Sequence, residues 1–181
     1  MNTAPLVAGT KIRWFREGTS LASPLTGVAG RMNRPSEFDP SWLDLGIIDS
    51  ATESPTQETL QKFATIGGVK VLYDMATTKH VNSLKFTLGE FQPLVVEALY
   101  RTDELNAAST QFNPMEGPAV NRTNRGWLHY QIRGHDGRSV WKLVFGFLML
   151  SGDVTLDGES FVSPEFTFTE LVSELNSGAL A

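Results

Sequence analysis

The residues best suited to chemistry are few and scattered. The three histidines, His80, His129 and His135, include no pair at the spacing by which one helix face presents two ligands to zinc. There is no cysteine, which removes thiolate metal sites, iron–sulfur clusters, disulfides and cysteine nucleophiles together. Gly67-Gly68-Val69-Lys70 has the residue types of a phosphate loop but neither its spacing nor the Ser or Thr that should follow the lysine. No Gly-x-Ser-x-Gly elbow, dinucleotide fingerprint or His-Glu-x-x-His run occurs. Asp153 and Asp157 could in principle share acid–base work, yet carboxylates beside a glycine turn are normally solvated. Asn121-Arg122-Thr123 fits a glycosylation acceptor, which carries no meaning without a secretory leader. These residues predict a scaffold with no catalytic centre, metal or cofactor.

Length and composition point the same way. At 181 residues, one domain over 1–181 with a substantial core is expected. The longest apolar run, Leu143 to Leu150, is less than half of the roughly 20 residues a spanning helix needs. The start, Met1-Asn-Thr-Ala-Pro-Leu6, lacks both a cationic and an apolar region, so neither membrane insertion nor secretion is expected. The absence of cysteine suits a reducing cytoplasm. A net charge of −5 argues against tight general binding of nucleic acid, although not against DNA that passes without being held. Charge is uneven. Arg122, Arg125, Arg133, Arg138 and Lys142 are opposed only by Asp136, whereas the chain from Ser151 onward has six acidic residues and no Lys or Arg. Such stretches are either solvated surfaces or complementary faces that meet between copies.

Strand patterns dominate the elements that would carry these residues. Ile12–Phe15 reads as a short strand. Glu17 to Thr59 reads as a long loop with four prolines, interrupted by the apolar patch Trp42, Leu43, Leu45, Ile47 and Ile48. Thr59 to Tyr73 reads as one bent strand or two, with Gly67-Gly68 marking a bulge or turn. Leu84–Leu88 alternates apolar with polar, and Pro93 opens the one convincing helix, with Val95, Ala98 and Leu99 on one face. A second loop covers about 103–126. The hairpin Trp127–Arg133, Gly134–Gly137, Val140–Leu150 is the clearest element, and its return strand is apolar on both sides, so both faces should be covered. A short strand near Asp153–Leu156 and a last strand Glu165–Val172 follow. Lys85–Phe91 and Glu165–Leu171 share Phe, Thr and Glu at equal offsets, which either marks a relation or reflects strand alternation alone. The chain is therefore mainly β, a sandwich or barrel-like fold with one flanking helix and long loops.

The order of these pieces resembles the major tail tube proteins of long-tailed bacteriophages, of the lambda-like siphophage type. The likeness is carried by Gly9–Phe15 with its long polar loop, by Leu45–Ile48, by Lys85–Leu88 leading through Gln92-Pro93 into the helix, and by Tyr130–Arg133, Val140–Leu150, Asp153–Leu156 and Glu165–Val172. It spans nearly the whole chain. The sequence stops soon after the last strand, so the immunoglobulin-like domain of some relatives is not expected; the Asn106–Gly126 loop is longer than the resemblance implies. The resemblance implies a structural virion protein made in the bacterial host cytoplasm. It would form hexameric rings stacked into a hollow tube through which DNA is ejected, with a tape-measure protein inside and terminator and tail-tip proteins at the ends. On that reading Lys85, Thr87, Glu165, Thr167 and Thr169 are candidates to face the lumen, which is expected to be net acidic. Trp42, Leu43, Asp44, Leu45, Arg31 and Arg34 are candidates for contacts between subunits or rings, and the Glu17–Thr59 loop is expected to order on a neighbouring ring. The alternatives are another tail component, either a contractile-tail tube or a terminator ring, and a small-molecule-binding β-barrel. The last would want an apolar cavity and short loops.

Overall fold

Alternation of apolar and polar residues, where it occurs, becomes strand. In the computed structural model, which describes residues 9–22, 26–90, 92–100, 111, 124–133, 139–152, 154 and 163–180, the order is β1 (Gly9–Arg16), β2 (Leu43–Asp44), β3 (Ile48–Ile66), β4 (Val69–Leu88), α1 (Pro93–Tyr100), β5 (Arg125–Arg133), β6 (Ser139–Leu150), β7 (Glu165–Glu170) and β8 (Ser177–Leu180). Among the described residues the strands form one eight-stranded sheet in the order β2-β1-β5-β6-β7-β4-β3, with β8 pairing β6 in line with β7. Every pairing is antiparallel. The fold is mainly β. The Gly134–Gly137 turn, the Asp153–Leu156 strand and nearly all of the 103–126 loop lie outside the described residues.

The sheet is curled. β2 and β3 stand at its two ends, which in a flat sheet of this order would be about 29 Å apart. Yet only residues 45–47 join them, a link that spans at most about 15 Å. That link bonds to both ends: Leu45 N–H donates to Ile12 O on β1 (3.1 Å), and Gly89 N–H, just past β4, donates to Ile47 O (2.8 Å). Inside the curl sit Ile12, Trp14, Leu45, Phe86, Leu128, Phe166 and Phe168, with Leu94 and Val95 of α1 packed against them. Trp14 of β1 and Phe168 of β7 meet edge to face at 6.2 Å although two strands lie between them. The likeness of Lys85–Phe91 to Glu165–Leu171 becomes physical here, because β4 and β7 are neighbours and Phe86 stacks on Phe166 at 5.8 Å.

The other face of β1, β5 and β6 carries a second core of Phe15, Trp127, Leu143 and Phe145. Covered faces on both sides of β6 are what its doubly apolar sequence requires. The cover on this side is the segment read as a free polar loop. Leu21 and Ala29 are buried there, Trp42 packs on Phe15 at 5.2 Å, and Trp127 Nε1–H donates to Gly30 O (2.9 Å). Asp39, 5% exposed, fixes the segment by accepting from Ala22 N–H and Ser41 N–H. The expected Glu17–Thr59 loop thus ends at residue 47, and its first part is ordered by packing on its own chain.

Two polar residues are deeply buried between layers. Arg16, at the end of β1, donates through Nη2 to both carboxylate oxygens of Glu97 on α1 (2.5 and 2.7 Å), with the side chains 6% and 0% exposed. A pair in that position ties helix to sheet at one angle.

Candidate assembly surfaces: a polar strand face and a projecting ribbon

Residues 48–88 form the most unusual part of the molecule. β3 and β4 are 19 and 20 residues long, but only the last residues of β4, Ser83 to Thr87, pair with β7. Beyond that point the two strands continue alone as a ribbon. Ile66 and Val69 close it through Gly67 (φ 59°) and Gly68 (φ 82°), the positive pair that a tight hairpin turn demands. From Glu53 to Ile66 the ribbon reaches on the order of 45 Å at about 3.3 Å per residue. Every residue from 52 to 80 except Ala64 is exposed. Register shifts at Glu58/Thr59 and Lys62/Phe63 add twist along it.

Its composition changes along its length. The stem is Ser, Thr, Gln and Glu, while the tip carries Leu60, Phe63, Ile66, Val69, Leu72 and Met75, each about half or more exposed. Register puts Phe63, Leu72 and Met75 on one face and Leu60, Ile66 and Val69 on the other. The tip is therefore apolar on both sides, which a lone subunit leaves in water.

A polar clasp holds the base of the ribbon to the body. Lys142 on β6 bonds Glu53 on β3, and Asn82 Nδ2 on β4 donates to Glu170 Oε2 on β7 (3.1 Å). Burial pushes the Tyr130 hydroxyl up to about 12 against the opposing effect of Lys142. Burial also disfavours the Lys142 ammonium, but its bonds to Glu53 and Tyr130 outweigh this and raise its pKa. A space of about 10 Å³ lies inside the clasp beside Glu53 and Tyr130, and an open one of about 230 Å³ lies on its outer side, lined by His80, Asn82, Glu170 and Val172; the inner core of the curl includes the rings of Trp14, Phe86, Tyr130, Phe166 and Phe168.

The five residues expected to face a lumen are brought together. Lys85 and Thr87 on β4 and Glu165, Thr167 and Thr169 on β7 alternate with Phe86, Phe166 and Phe168, so all five share the face turned away from the inner core. Lys85 Nζ lies 3.7 Å from Glu165 Oε1. Ser50, Thr52 and Ser54 of β3 and Ser83 of β4 extend the same face, with Ser50 Oγ bonded to Thr87 Oγ1 (3.2 Å).

The residues singled out for contacts between subunits are placed differently. Leu45 is 1% exposed and lies in the inner core, and Leu43 packs against it. Asp44 pairs with Lys11 at 3.2 Å on the surface. Arg31 is exposed, its guanidinium 5.9 Å from the Phe145 ring, and Arg34 donates to Leu175 O and Ser177 Oγ. Trp42 meets Phe15 and His129 edge to face and lies under the Arg13 guanidinium, the last at 5.3 Å. Arg13 Nη2 also lies 3.0 Å from His129 Nδ1, and burial followed by the Arg13 charge lowers the His129 pKa. These side chains hold the 26–42 segment to the sheet. The ribbon, which sequence reasoning described only as a bent strand near its tip, is where unpartnered surface concentrates.

No protein-family description and no curated protein matches the chain. Among solved structures, a chain from the tail of an empty gene transfer agent particle refined with C6 symmetry is similar over 78% of this chain and 85% of its own, with 13% identity and a TM-score of 0.38. A chain from the virion of a native gene transfer agent particle is similar over 77% and 88%, with 12% identity and a TM-score of 0.39.

Proposed function

We propose that this chain is a non-enzymatic, single-domain building block of a phage-type tail tube, whose copies associate through the β3–β4 ribbon. The observation that carries this reading is the ribbon itself. An isolated two-stranded hairpin is marginal in water, and this one adds an apolar tip and two backbone edges without partners. Such an arm gains stability when another copy supplies strands along its edges and cover for its tip. Because the arm and the surface that receives it are different parts of the chain, the contact is heterologous: it closes into a ring where the rotation allows and repeats along an axis where it does not.

Six-membered rings stacked into a hollow tube follow from the resemblance described above, as do a tape-measure protein within and terminator and tail-tip proteins at the ends. The hydroxyl-rich face of β4 and β7 would then line the lumen, as polar inward positions of wide barrels do. The core that the described residues pack inside the curl weighs against a small-molecule-binding barrel. Negative-stain electron microscopy of concentrated protein tests the reading, with light scattering on the same sample. Rings or hollow tubes with a regular axial repeat are expected. A particle that stays the size of one chain at all concentrations would contradict it.

A further inference from the structure

Little backbone attaches the ribbon to the body. Ser83 to Thr87 of β4 pair with β7, and from Asn82 outward the one strand beside β4, among the described residues, is β3. Past β7 the chain turns aside. Leu171 N–H still donates to Phe145 O on β6, but pairing with β6 resumes only at Ser177, and the open space of about 230 Å³ separates His80 and Asn82 of the ribbon from Leu171 to Ser173. Backbone hydrogen bonds thus fix where the ribbon starts and leave its direction to side chains. Register sets Glu53 opposite Leu84, with Asn82 two residues from Leu84, so both side chains lie on the inner-core face of the ribbon's base. From there Glu53 reaches past β4 and β7 to Lys142 on β6, while Asn82 Nδ2 donates to Glu170 Oε2 on β7 (3.1 Å). Lys142 is bonded in turn to the Tyr130 hydroxyl, and Tyr130 is 3% exposed within the inner core. The clasp is a polar strut with one end in the ribbon and the other in the rigid body.

We infer that the clasp sets the angle at which the ribbon leaves the body and, through that angle, how many copies close a ring. This rests on the proposed reading, in which the ribbon is the contact between copies. Hydrogen bonds and ion pairs are directional, so they specify one orientation where apolar contact would let two parts slide. The length of the arm magnifies any error. With an arm of about 45 Å, a swing of about 10° carries the tip about 8 Å, more than one strand spacing. Copies in a ring of six are related by about 60° and in a ring of five by about 72°, so a swing of that size separates one closed ring from another, or from a spiral that never closes. Glu53, Asn82, Lys142 and Glu170 are therefore positioning residues for assembly, acting through the ribbon and making no contact with the neighbouring copy themselves.

The test uses the full chain in two states. Because the sequence has no cysteine, spin labels at Thr65→Cys near the tip and Ala179→Cys on β8, both exposed positions, report one ribbon-to-body distance in dilute protein by double electron–electron resonance. Glu53→Ala/Asn82→Ala opens both halves of the clasp, and Glu53→Gln keeps an acceptor for Lys142. The control Gln57→Ala/Glu58→Ala removes the same kinds of side chain from exposed positions farther along the ribbon. The Lys142 and Glu53 side chains are 28% and 33% exposed, so the opened variant should fold, which circular dichroism checks. The native chain, Glu53→Gln and the control should each give one narrow distance, and the opened clasp should widen the distribution at least twofold. Negative-stain images of the unlabelled proteins after concentration should show closed rings of one size from the native chain and from Glu53→Gln, and no single closed size from the opened clasp. A distribution from the opened clasp no wider than the native one would overturn the inference. So would equal widening by the control, or rings of the native size from the opened clasp. A native chain that forms neither rings nor tubes would remove the tube reading, and with it the effect on ring size, while the distance widths would still show whether the clasp fixes the ribbon.

Discussion

The curled body and the projecting ribbon obey opposite rules. In the body, each strand has a face that must be dry, and a substitution there is felt by folding. In the ribbon, both faces are wet in the single chain, and a substitution there should be felt only when copies meet. One sheet therefore contains a part that buries its own core and a part that, on the proposed reading, copies cover, joined at the Glu53–Lys142 and Asn82–Glu170 clasp.

The contrast can be broken from the body side first. Glu97→Ala leaves the Arg16 guanidinium buried without its carboxylate and should cost about 3–5 kcal/mol in chemical denaturation. A loss below about 1 kcal/mol would mean that α1 is not fixed to the sheet as described. Trp42→Ala should cost about 2–3 kcal/mol, because the ring is partly exposed yet covers Phe15 and holds Arg13. It should also make the 26–42 segment open to proteolysis, which limited digestion reads.

Acid should act on the same segment. His129 is held neutral below its usual range, chiefly by burial and then by Arg13, so as pH falls below 6.5 the unfolded chain takes up a proton before the folded one. Stability contributed by the neutral ring is full above pH 6.5 and is lost as the pH falls toward the lowered folded value. Melting temperatures between pH 7 and 5 should show this decline, and His129→Gln should flatten it. At the alkaline end the sign reverses. The raised Tyr130 and Lys142 values mean that stability from the clasp is present below pH 10 and is lost as the pH rises toward about 12. Tyr130→Phe should remove much of that alkaline loss.

The smallest effect on folding is expected in the ribbon. Phe63→Ser with Leu72→Ser changes two exposed residues on one face of the tip and should alter the stability of the dissociated chain by less than about 0.5 kcal/mol. The same variant should fail to assemble by light scattering. Assembly at the native concentration would show that the tip is not a contact.

The same division explains what the sequence made legible. Leu84–Leu88 and Glu165–Glu170 alternate because one face of each is buried, while Trp127–Tyr130 of β5 and the doubly apolar β6 have both faces covered. Residues 50–58 show no such pattern. Ser50-Ala-Thr-Glu-Ser-Pro-Thr-Gln-Glu58 reads as loop because beyond Ala51, which packs on the inner core, neither face is buried in the single chain, so nothing selects for alternation. Pro55 strengthens that misreading, yet it is tolerated because β3 is an edge strand whose outer side needs no N–H. The Arg16–Glu97 pair was invisible because its members lie 81 residues apart. The five polar positions of the β4–β7 face were legible, since each is the wet partner of a buried phenylalanine in the same strand. The contact role first given to Leu45 and Trp42 came from an apolar patch inside a polar stretch, a pattern that self-packing and docking share.

The account turns on whether other copies cover the ribbon, and backbone amide exchange reads this directly. Exchange should be compared between dilute chain and concentrated, assembled protein. Amides on the unpaired edge of β4, from Val69 to Asn82, should exchange rapidly in the dilute chain and slow by more than a hundredfold on assembly, while those of β5 and β6 stay protected in both. Assemblies in which the 69–82 amides still exchange as fast as in the dilute chain would contradict the account.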